Sequence, residues 1–329
     1  MFVLALVGLA AIAAAAAAGG AWWWLQQPLK LAGERVELSI EPGSAPRAVA
    51  EAWVAAGVQT HPRLLYEWFR FSGQARRIRA GSYEIEAGTT PRRLLEVMVQ
   101  GEETMERVRF LEGWTVRQLR AELARAPHLR ATTQAMSEAE LMAALGEPGV
   151  AAEGRFFPDT YVYSRGVSDL TVLRRSHRMM RERLATAWAE RAPDTPLKSA
   201  DEALILASIV EKETGIAADR ALIAGVFANR LRIGMPLQTD PTVIYGLGET
   251  FDGNLRKRDL LADGPYNTYT RGGLPPTPIA LPGLASLRAA VRPAATRALY
   301  FVARGDGSSV FSETLADHNR AVNKYQRGQ

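Results

Sequence analysis

The sequence predicts an α+β protein: one N-terminal membrane helix, a small α+β module, and a larger mixed α/β domain that closes with a β-hairpin. Three observations lead there. Residues 2–25 carry no charge, a strand–glycine–helix unit recurs three times between residues 38 and 119, and helical periodicity gives way to short β-rich runs near the C-terminus. The expected divisions are 1–27 for the anchor, 28–105 for the small module and 106–329 for the larger domain.

The charge-free run ends in Trp22, Trp23 and Trp24, shortly before Lys30. About 20 mostly apolar residues cover the hydrocarbon core of a bilayer, and tryptophans favour its interface with water. A single span into membrane lipid is the simplest reading. A cleaved signal peptide is the competing one, because the alanine run offers many small-residue cleavage sites. The apolar stretch outlasts an ordinary signal core, which favours the anchor. No Lys or Arg precedes the run, so charge does not encode its orientation.

The repeated unit reads LSIEPGSAPRAV around Gly43, YEIEAGTTPRRLL around Gly88 and VRFLEGWTVRQL around Gly113. In each copy a few strand-like residues lead into the glycine, and an arginine follows four positions later. Thr90 and Thr115 stand where a helix N-cap belongs, with Pro91 at the first helical position of the second copy. Ala45 lacks a capping side chain. The first two copies form the small module, whose size and βα character resemble a LysM-type glycan-binding module; a plain spacer is the alternative. The third copy opens the larger domain.

Further along, residues 168–192 read as one long helix with arginines on its wet face. A helix capped by Asp219 and ended by Gly234 is expected next to the segment SIVEKETG. LYFVARGDGSSVFS (299–312) has two β-rich runs around Gly-Asp-Gly, a hairpin signal, and Thr314 caps a final helix.

Composition narrows the chemistry. There are no cysteines, which excludes disulfides, thiol nucleophiles and Cys-based metal centres. The four histidines are scattered without ligand spacing, so no metal and no cofactor are expected. Lys and Arg exceed Asp and Glu by 40 to 35, a mild surplus suited to anionic lipid or an acidic polymer. No nucleic-acid motif or basic-aromatic stripe accompanies it, and no nucleic-acid partner is expected.

SIVEKETG (208–215) carries two carboxylates, Glu211 and Glu213. Successive helical residues turn by about 100°, so the two lie roughly 200° apart and do not share a cleft. Glu213 continues the stripe Leu206–Ile209–Val210, whereas Glu211 sits over small residues and is expected to reach solvent. Lost hydration at the end of a buried stripe raises a carboxyl pKa, as a general acid requires. A buried Glu satisfied by backbone donors or an arginine fits the same pattern, so periodicity alone leaves both open.

The segments LEGWTVRQL, EGRFFPDTYVY, ASIVEKETG, VFANRLRIGMPLQTDPTVIYGLG, YNTYTRGGLPPTPIALPG and LYFVARGDGSSVFSETLADHN settle the comparison. In this order they resemble the membrane-anchored endolytic murein transglycosylases, the YceG-like family. The resemblance runs from about Leu38 to the C-terminus. It implies a single-pass bacterial inner-membrane protein with its body in the periplasm. Such a protein cuts nascent peptidoglycan glycan strands at the MurNAc–GlcNAc β-1,4 bond without water, leaving 1,6-anhydro-MurNAc ends and terminating or trimming elongation. It also implies a LysM-like subdomain, peptidoglycan as partner, cell-wall synthases as further partners, and Glu213 as the catalytic acid and then base.

Candidate substrate-binding residues are Gln238, Thr239 and Asp240 in QTDPTVIYG, Tyr266, Asn267 and Tyr269 in YNTY, and Asp159 in the Pro-Asp turn. Amides, hydroxyls and phenols hydrogen-bond sugar edges, and an Asp can stabilise positive charge developing on the ring. Asp159 and Asp240 are also the candidates for the second carboxylate that a two-carboxylate hydrolase requires. A muramidase-type hydrolase and a non-catalytic glycan-binding scaffold for cell-wall synthases are the alternative functions.

Overall fold

The computed structural model describes residues 2–326, the side chains of residues 2–7 and 10 excepted. Helix α1 (Phe2–Trp24) covers the charge-free run. Among the described residues, however, no helix is long and apolar enough to cross a membrane. Part of the expected span lies outside the described side chains. The rest is mostly alanine and glycine, which contribute little to insertion compared with Leu, Ile, Phe or Val. The tryptophan cluster divides: Trp22 and Trp23 are exposed, and Trp24 packs on a hydrophobic core.

After α1 come β1 (Lys30–Leu31), β2 (Arg35–Ile40), α2 (Pro46–Ala56), β3 (Val58–Gln59), α3 (Pro62–Phe71), β4 (Gly81–Glu86) and α4 (Pro91–Gln100). They belong to the first of two compact units, the chain up to Glu106 together with Pro127–Arg130 and Val162–Val167. β1 pairs with β3, and β2 with β4, both antiparallel. Trp53, Leu65, Phe69, Tyr83, Leu94 and Met98 make the core. Trp53 Nε1 donates to Met98 Sδ at 3.2 Å, which satisfies its one polar atom.

The two short later segments join this unit through polar contacts. Ser82 Oγ donates to the Arg165 carbonyl at 2.5 Å, and Tyr163 Oη to the Pro127 carbonyl at 2.7 Å. The Arg165 guanidinium meets the carboxylates of Glu37, Glu84 and Glu106. One planar cation with five donors can serve several carboxylates at once.

The other unit holds Arg107–Ala126, Ala131–Tyr161 and the chain from Ser168 onward. Strand β5 (Met105–Arg109) leads to α5 (Val116–Arg125), α6 (Glu138–Ala144), β6 (Thr160–Ser164), α7 (Asp169–Ala189) and α8 (Ala200–Glu213). Then follow α9 (Ala217–Arg232), α10 (Asp240–Leu247), α11 (Lys257–Leu261), α12 (Leu284–Val291), β7 (Tyr300–Ala303), β8 (Ser309–Ser312) and α13 (Leu315–Gln326). β5 pairs with β6, and β7 with β8 across the Gly-Asp-Gly turn. α7 is the long helix read from the sequence, started by Ser168.

All three repeated units become strand, turn and helix: β2 to α2, β4 to α4, β5 to α5. Thr90 Oγ1 accepts from Arg93 N, and Thr115 forms a full capping box with Gln118. Ala45 makes no side-chain cap, and Pro46 starts that helix instead. Gly88 and Gly113 turn the chain at φ +98° and +76°, where a Cβ is strained.

α8 is the centre of the second unit. Ala203 to Val210 are all buried, and α7, α9, α10 and α12 contact the helix. A helix that is apolar all round is covered all round. Asp219 corrects an expectation: it does not cap α9, whose N-cap Ile216 makes no side-chain bond. Asp219 lies in the first turn and accepts from Ser309 N at 2.7 Å, tying α9 to the hairpin.

Candidate active site

α8 stops at Glu213 because Thr214 leaves helical backbone space, at φ −147° and ψ 135°. The carboxyl therefore sits at the helix C-terminus, where unpaired carbonyls disfavour negative charge. Thr239 Oγ1 donates to Glu213 Oε1. Thr239 occupies the N-cap of α10 yet makes no capping bond there, so its hydroxyl is free for Glu213.

The loop before α10 is held tightly. Gln238 has φ +48°, a left-handed conformation unusual for a residue with a Cβ, and its N–H donates to the Thr268 carbonyl at 3.0 Å. Thr239 N donates to Thr268 Oγ1 at 3.0 Å, and the Thr242 and Thr268 hydroxyls meet at 2.9 Å. Buried Arg230 of α9 donates to the carbonyls of Leu237 and Leu299, each at 2.7 Å. These bonds fix Thr239 against Glu213 without using substrate.

Burial pushes the Glu213 carboxyl up to about 7. The Thr239 hydroxyl opposes that rise, the Asp240 carboxylate adds to it, and the Arg230 guanidinium opposes it. Tyr269 Oη donates to Asp240 Oδ1 at 2.5 Å. The Tyr269 phenol is itself pushed up, by burial first and then by the Asp240 carboxylate. Glu213, Thr239, Asp240 and Tyr269 thus form one polar cluster, which near neutral pH offers both a proton donor and a carboxylate.

The remaining candidates separate. Gln238 is exposed beside the cluster. Tyr266 hydrogen-bonds Thr277 Oγ1 at 2.7 Å, and its ring meets Tyr245 at 4.9 Å between centroids. Asn267 is buried and donates to the carbonyls of Asp259, Leu260 and Ala262. Its amide organises the loop that carries Tyr266 and Tyr269. Asp159 is exposed and lines a different depression with Arg109, Phe110 and Glu112.

Glu211 also corrects an expectation. Its side chain is only 7% exposed, not solvated. Oε2 accepts from Gly283 N at 2.8 Å, and Oε1 lies 4.0 Å from Arg220 Nη2. The chain entering α12 and the start of α9 cover the face that small residues left open. Glu112 joins this cluster, and its carboxyl is pushed up by burial first and then by the charge of Glu211.

Two residues escaped the sequence reading. Glu153 is buried, and its oxygens accept from Val116 N at 3.1 and 3.3 Å and from Tyr245 Oη at 3.2 Å. Burial pushes its carboxyl up to about 7, against those hydrogen bonds. It opens onto a cavity of about 750 Å³ shared with Lys212, Tyr245 and Tyr266. The only signal was its place at the head of EGRFFPDTYVY. Arg230 lies inside VFANRLRIG, where no residue nearby in the chain marks it as buried.

The chain is similar to known proteins over much of its length. A family model described as the YceG-like family matches residues 38–324. An endolytic murein transglycosylase of Bacillus subtilis is 42% identical over 174 residues, which are 53% of this chain and 48% of that protein. A protein of the same name from Streptococcus pneumoniae is 31% identical over 175 residues, or 52% of this chain and 31% of that protein. The chain thus spans about half the length, or less, of these relatives. A solved YceG-like protein of Listeria monocytogenes superposes with a TM-score of 0.54 at 28% identity, covering 87% of this chain and 98% of that one. With 287 residues, 38 through 324, under one family model, the chain belongs to the YceG-like family.

Proposed function

We propose that this chain is an endolytic lytic transglycosylase of peptidoglycan, with Glu213 as general acid and then base. The carrying observation is the enclosed Glu213 carboxyl, poised at about 7 by burial and held by a single hydroxyl donor. The name shared by its relatives supports the same reaction.

The chemistry needs one acid. Thr239 donates to Oε1, which leaves Oε2 to carry the proton. That proton passes to O4 of the leaving N-acetylglucosamine as the bond from C1 of N-acetylmuramic acid breaks. The resulting carboxylate takes the proton of the muramyl 6-hydroxyl while O6 bonds to C1. Glu213 ends as it began, and no water is consumed. Attack within one sugar also carries the entropic advantage of an intramolecular nucleophile. The Asp240 carboxylate, held by Tyr269, favours positive charge on the ring in the transition state.

We further assign residues 28–105, which lie within the first unit, as a LysM-like glycan-binding module, followed by the catalytic domain at 106–329. Helices α2 and α3 between the antiparallel partners β2 and β4 support a small α+β module. The location that goes with this function is the periplasmic face of the bacterial inner membrane. The charge-free residues 2–25 and the exposed Trp22 and Trp23 support contact with lipid. Cell-wall synthases are the proposed protein partners.

The deciding experiment digests un-crosslinked glycan strands with the full chain and weighs the new ends. Internal cuts with ends lighter by one water are expected. Reducing ends of full mass would mean a muramidase, and intact strands would mean a binding scaffold. Separation of membranes from the soluble fraction tests the location, and recovery in the soluble fraction alone would overturn it.

A further inference from the structure

Helix α3 carries two apolar stripes, and the core of its unit uses one of them. Leu65 and Phe69, four residues apart, are fully buried in that core. Leu64, Trp68 and Phe71 make a second stripe, at the spacing of four and then three that shares a helix face. Its two ends are open to water: Leu64 is 51% exposed and Phe71 76%. In its middle, Trp68 Nε1 donates to the Pro91 carbonyl at 3.0 Å, and the ring lines a depression together with Trp22 of α1. The stripe thus continues into the end of the charge-free helix, where Trp22 and Trp23 are exposed as well. Single exposed apolar residues need no explanation, whereas a contiguous set marks a surface that is covered in use.

The charge beside the stripe says what covers it. Residues 62–80 hold five arginines, Arg63, Arg70, Arg76, Arg77 and Arg79, against one acid, Glu67. Glu67 is taken by Arg70 at 3.3 Å. Arg76 and Arg77 stand exposed on the short 3-10 turn after α3, with no carboxylate partner among the described residues. Ser72 and Gln74, between Phe71 and that turn, line the same depression as Trp22, so the end of α1, Phe71 and the arginine turn are neighbours. A soluble polyanion would match the arginines and leave the exposed rings idle. A bilayer surface with anionic headgroups matches both, with phosphates for the guanidiniums and an interfacial layer for the aromatic rings.

The composition of α1 calls for a second contact. From residue 10 to residue 21 it is alanine and glycine apart from Ile12, and a weakly apolar element anchors stably only alongside another signal, such as a basic patch. Trp24 packs on the core of this unit, so lipid that meets the end of α1 is within reach of the stripe.

We infer that the Leu64–Trp68–Phe71 face of α3, with Arg76 and Arg77 beside it, is a second membrane contact, which docks the first unit on anionic phospholipid headgroups. It rests on the reading that residues 2–25 meet lipid, and it adds a binding surface in the folded unit itself.

The chain has no cysteine, so Phe71→Cys gives one attachment point for an environment-sensitive fluorophore, and Asp306→Cys in the Gly-Asp-Gly turn gives another; both positions are exposed. The full chain is mixed with vesicles of phosphatidylcholine, with or without phosphatidylglycerol. With phosphatidylglycerol the label at 71 should shift to shorter wavelength and be quenched by brominated lipid, while the label at 306 keeps its emission in water. In the unlabelled chain, co-sedimentation should show tighter binding to the anionic vesicles. Arg76→Ala combined with Arg77→Ala should lower that preference about tenfold or more, at roughly fivefold per arginine, and leave binding to phosphatidylcholine in place. A label at 71 that stays in water, equal shifts at 71 and 306, or a preference indifferent to the two arginines would each overturn the contact. Arginine-dependent binding of heparin with the label at 71 still in water would mean a polyanion site instead. A chain that binds neither kind of vesicle defeats the lipid reading of residues 2–25 as well, whereas equal binding to both kinds with a wet label defeats this inference alone.

Discussion

Two acids end the same helix, and they are held by different partners. Glu213 faces one hydroxyl and a neighbouring carboxylate, in a pocket that pushes its pKa to about 7. Glu211, half a turn earlier, faces a backbone N–H and a guanidinium in a wall of the second unit. Both are removed from water. At Glu213 burial is the main cause of the rise, the Asp240 carboxylate adds to it, and the Thr239 hydroxyl and Arg230 guanidinium oppose it; at Glu211 a backbone N–H and a guanidinium tie a covered side chain to α12 and α9.

The most direct way to break that contrast is Glu213→Gln. Loss of the proton carrier should lower glycan cleavage about a thousandfold or more, measured by release of anhydro ends. Glu211→Gln keeps an oxygen for Gly283 N and should leave most of the activity. Equal losses in both would erase the distinction.

Stability against pH gives the next effect. The folded protein binds a proton at Glu213 more tightly than the unfolded chain, about 7 against an ordinary 4.5. An acid shifted up costs stability as pH rises from about 4.5 to about 7, and the cost levels off above. Glu213→Gln removes this, so its unfolding free energy relative to the native chain should climb across that window by up to about 3 kcal/mol. Denaturant titrations at pH 4, 6 and 8 read it; a constant difference would mean an ordinary surface-like acid.

Glu211→Ala should cost about 2 kcal/mol, because Gly283 N loses its acceptor and Arg220 its neighbour in a covered place. Thermal unfolding measures it, and a neutral result would restore the solvent-exposed reading of this residue. The smallest effects sharpen the acid itself. Thr239→Val removes a donor to the carboxylate and should move the alkaline limb of kcat/KM up; Asp240→Asn removes a negative neighbour and should move it down. Each shift should be less than about one pH unit. Shifts in the same direction would contradict the electrostatic assignment.

Much of the fold was legible because local chemistry made it. The Thr90 and Thr115 caps, the turns at Gly88 and Gly113, α7 behind Ser168 and the β7–β8 hairpin all follow from residues within a few positions of one another. Asp219 was misread because a cap position and a buried first-turn position look alike until a distant strand, here β8, arrives to use the carboxylate. Asn267 suggested a sugar contact because a loop amide is equally suited to ligand and to loop carbonyls, and the carbonyls of 259–262 are what it meets. Glu153 had no visible partner within its own segment. Its environment comes from Val116 and Tyr245, 37 and 92 positions away.

By itself the sequence determined the helical and extended segments, the apolar stripe that ends at Glu213, and the motifs shared with the YceG-like family, since periodicity, capping and turn chemistry act over one or two turns of chain. Only the tertiary structure decided that Glu211 is covered, that Thr239 turns its hydroxyl to Glu213, and that Glu153 faces a cavity. Those outcomes depend on long-range neighbours, and a carboxyl's protonation is set by the water it loses and the charges it gains when they close around it.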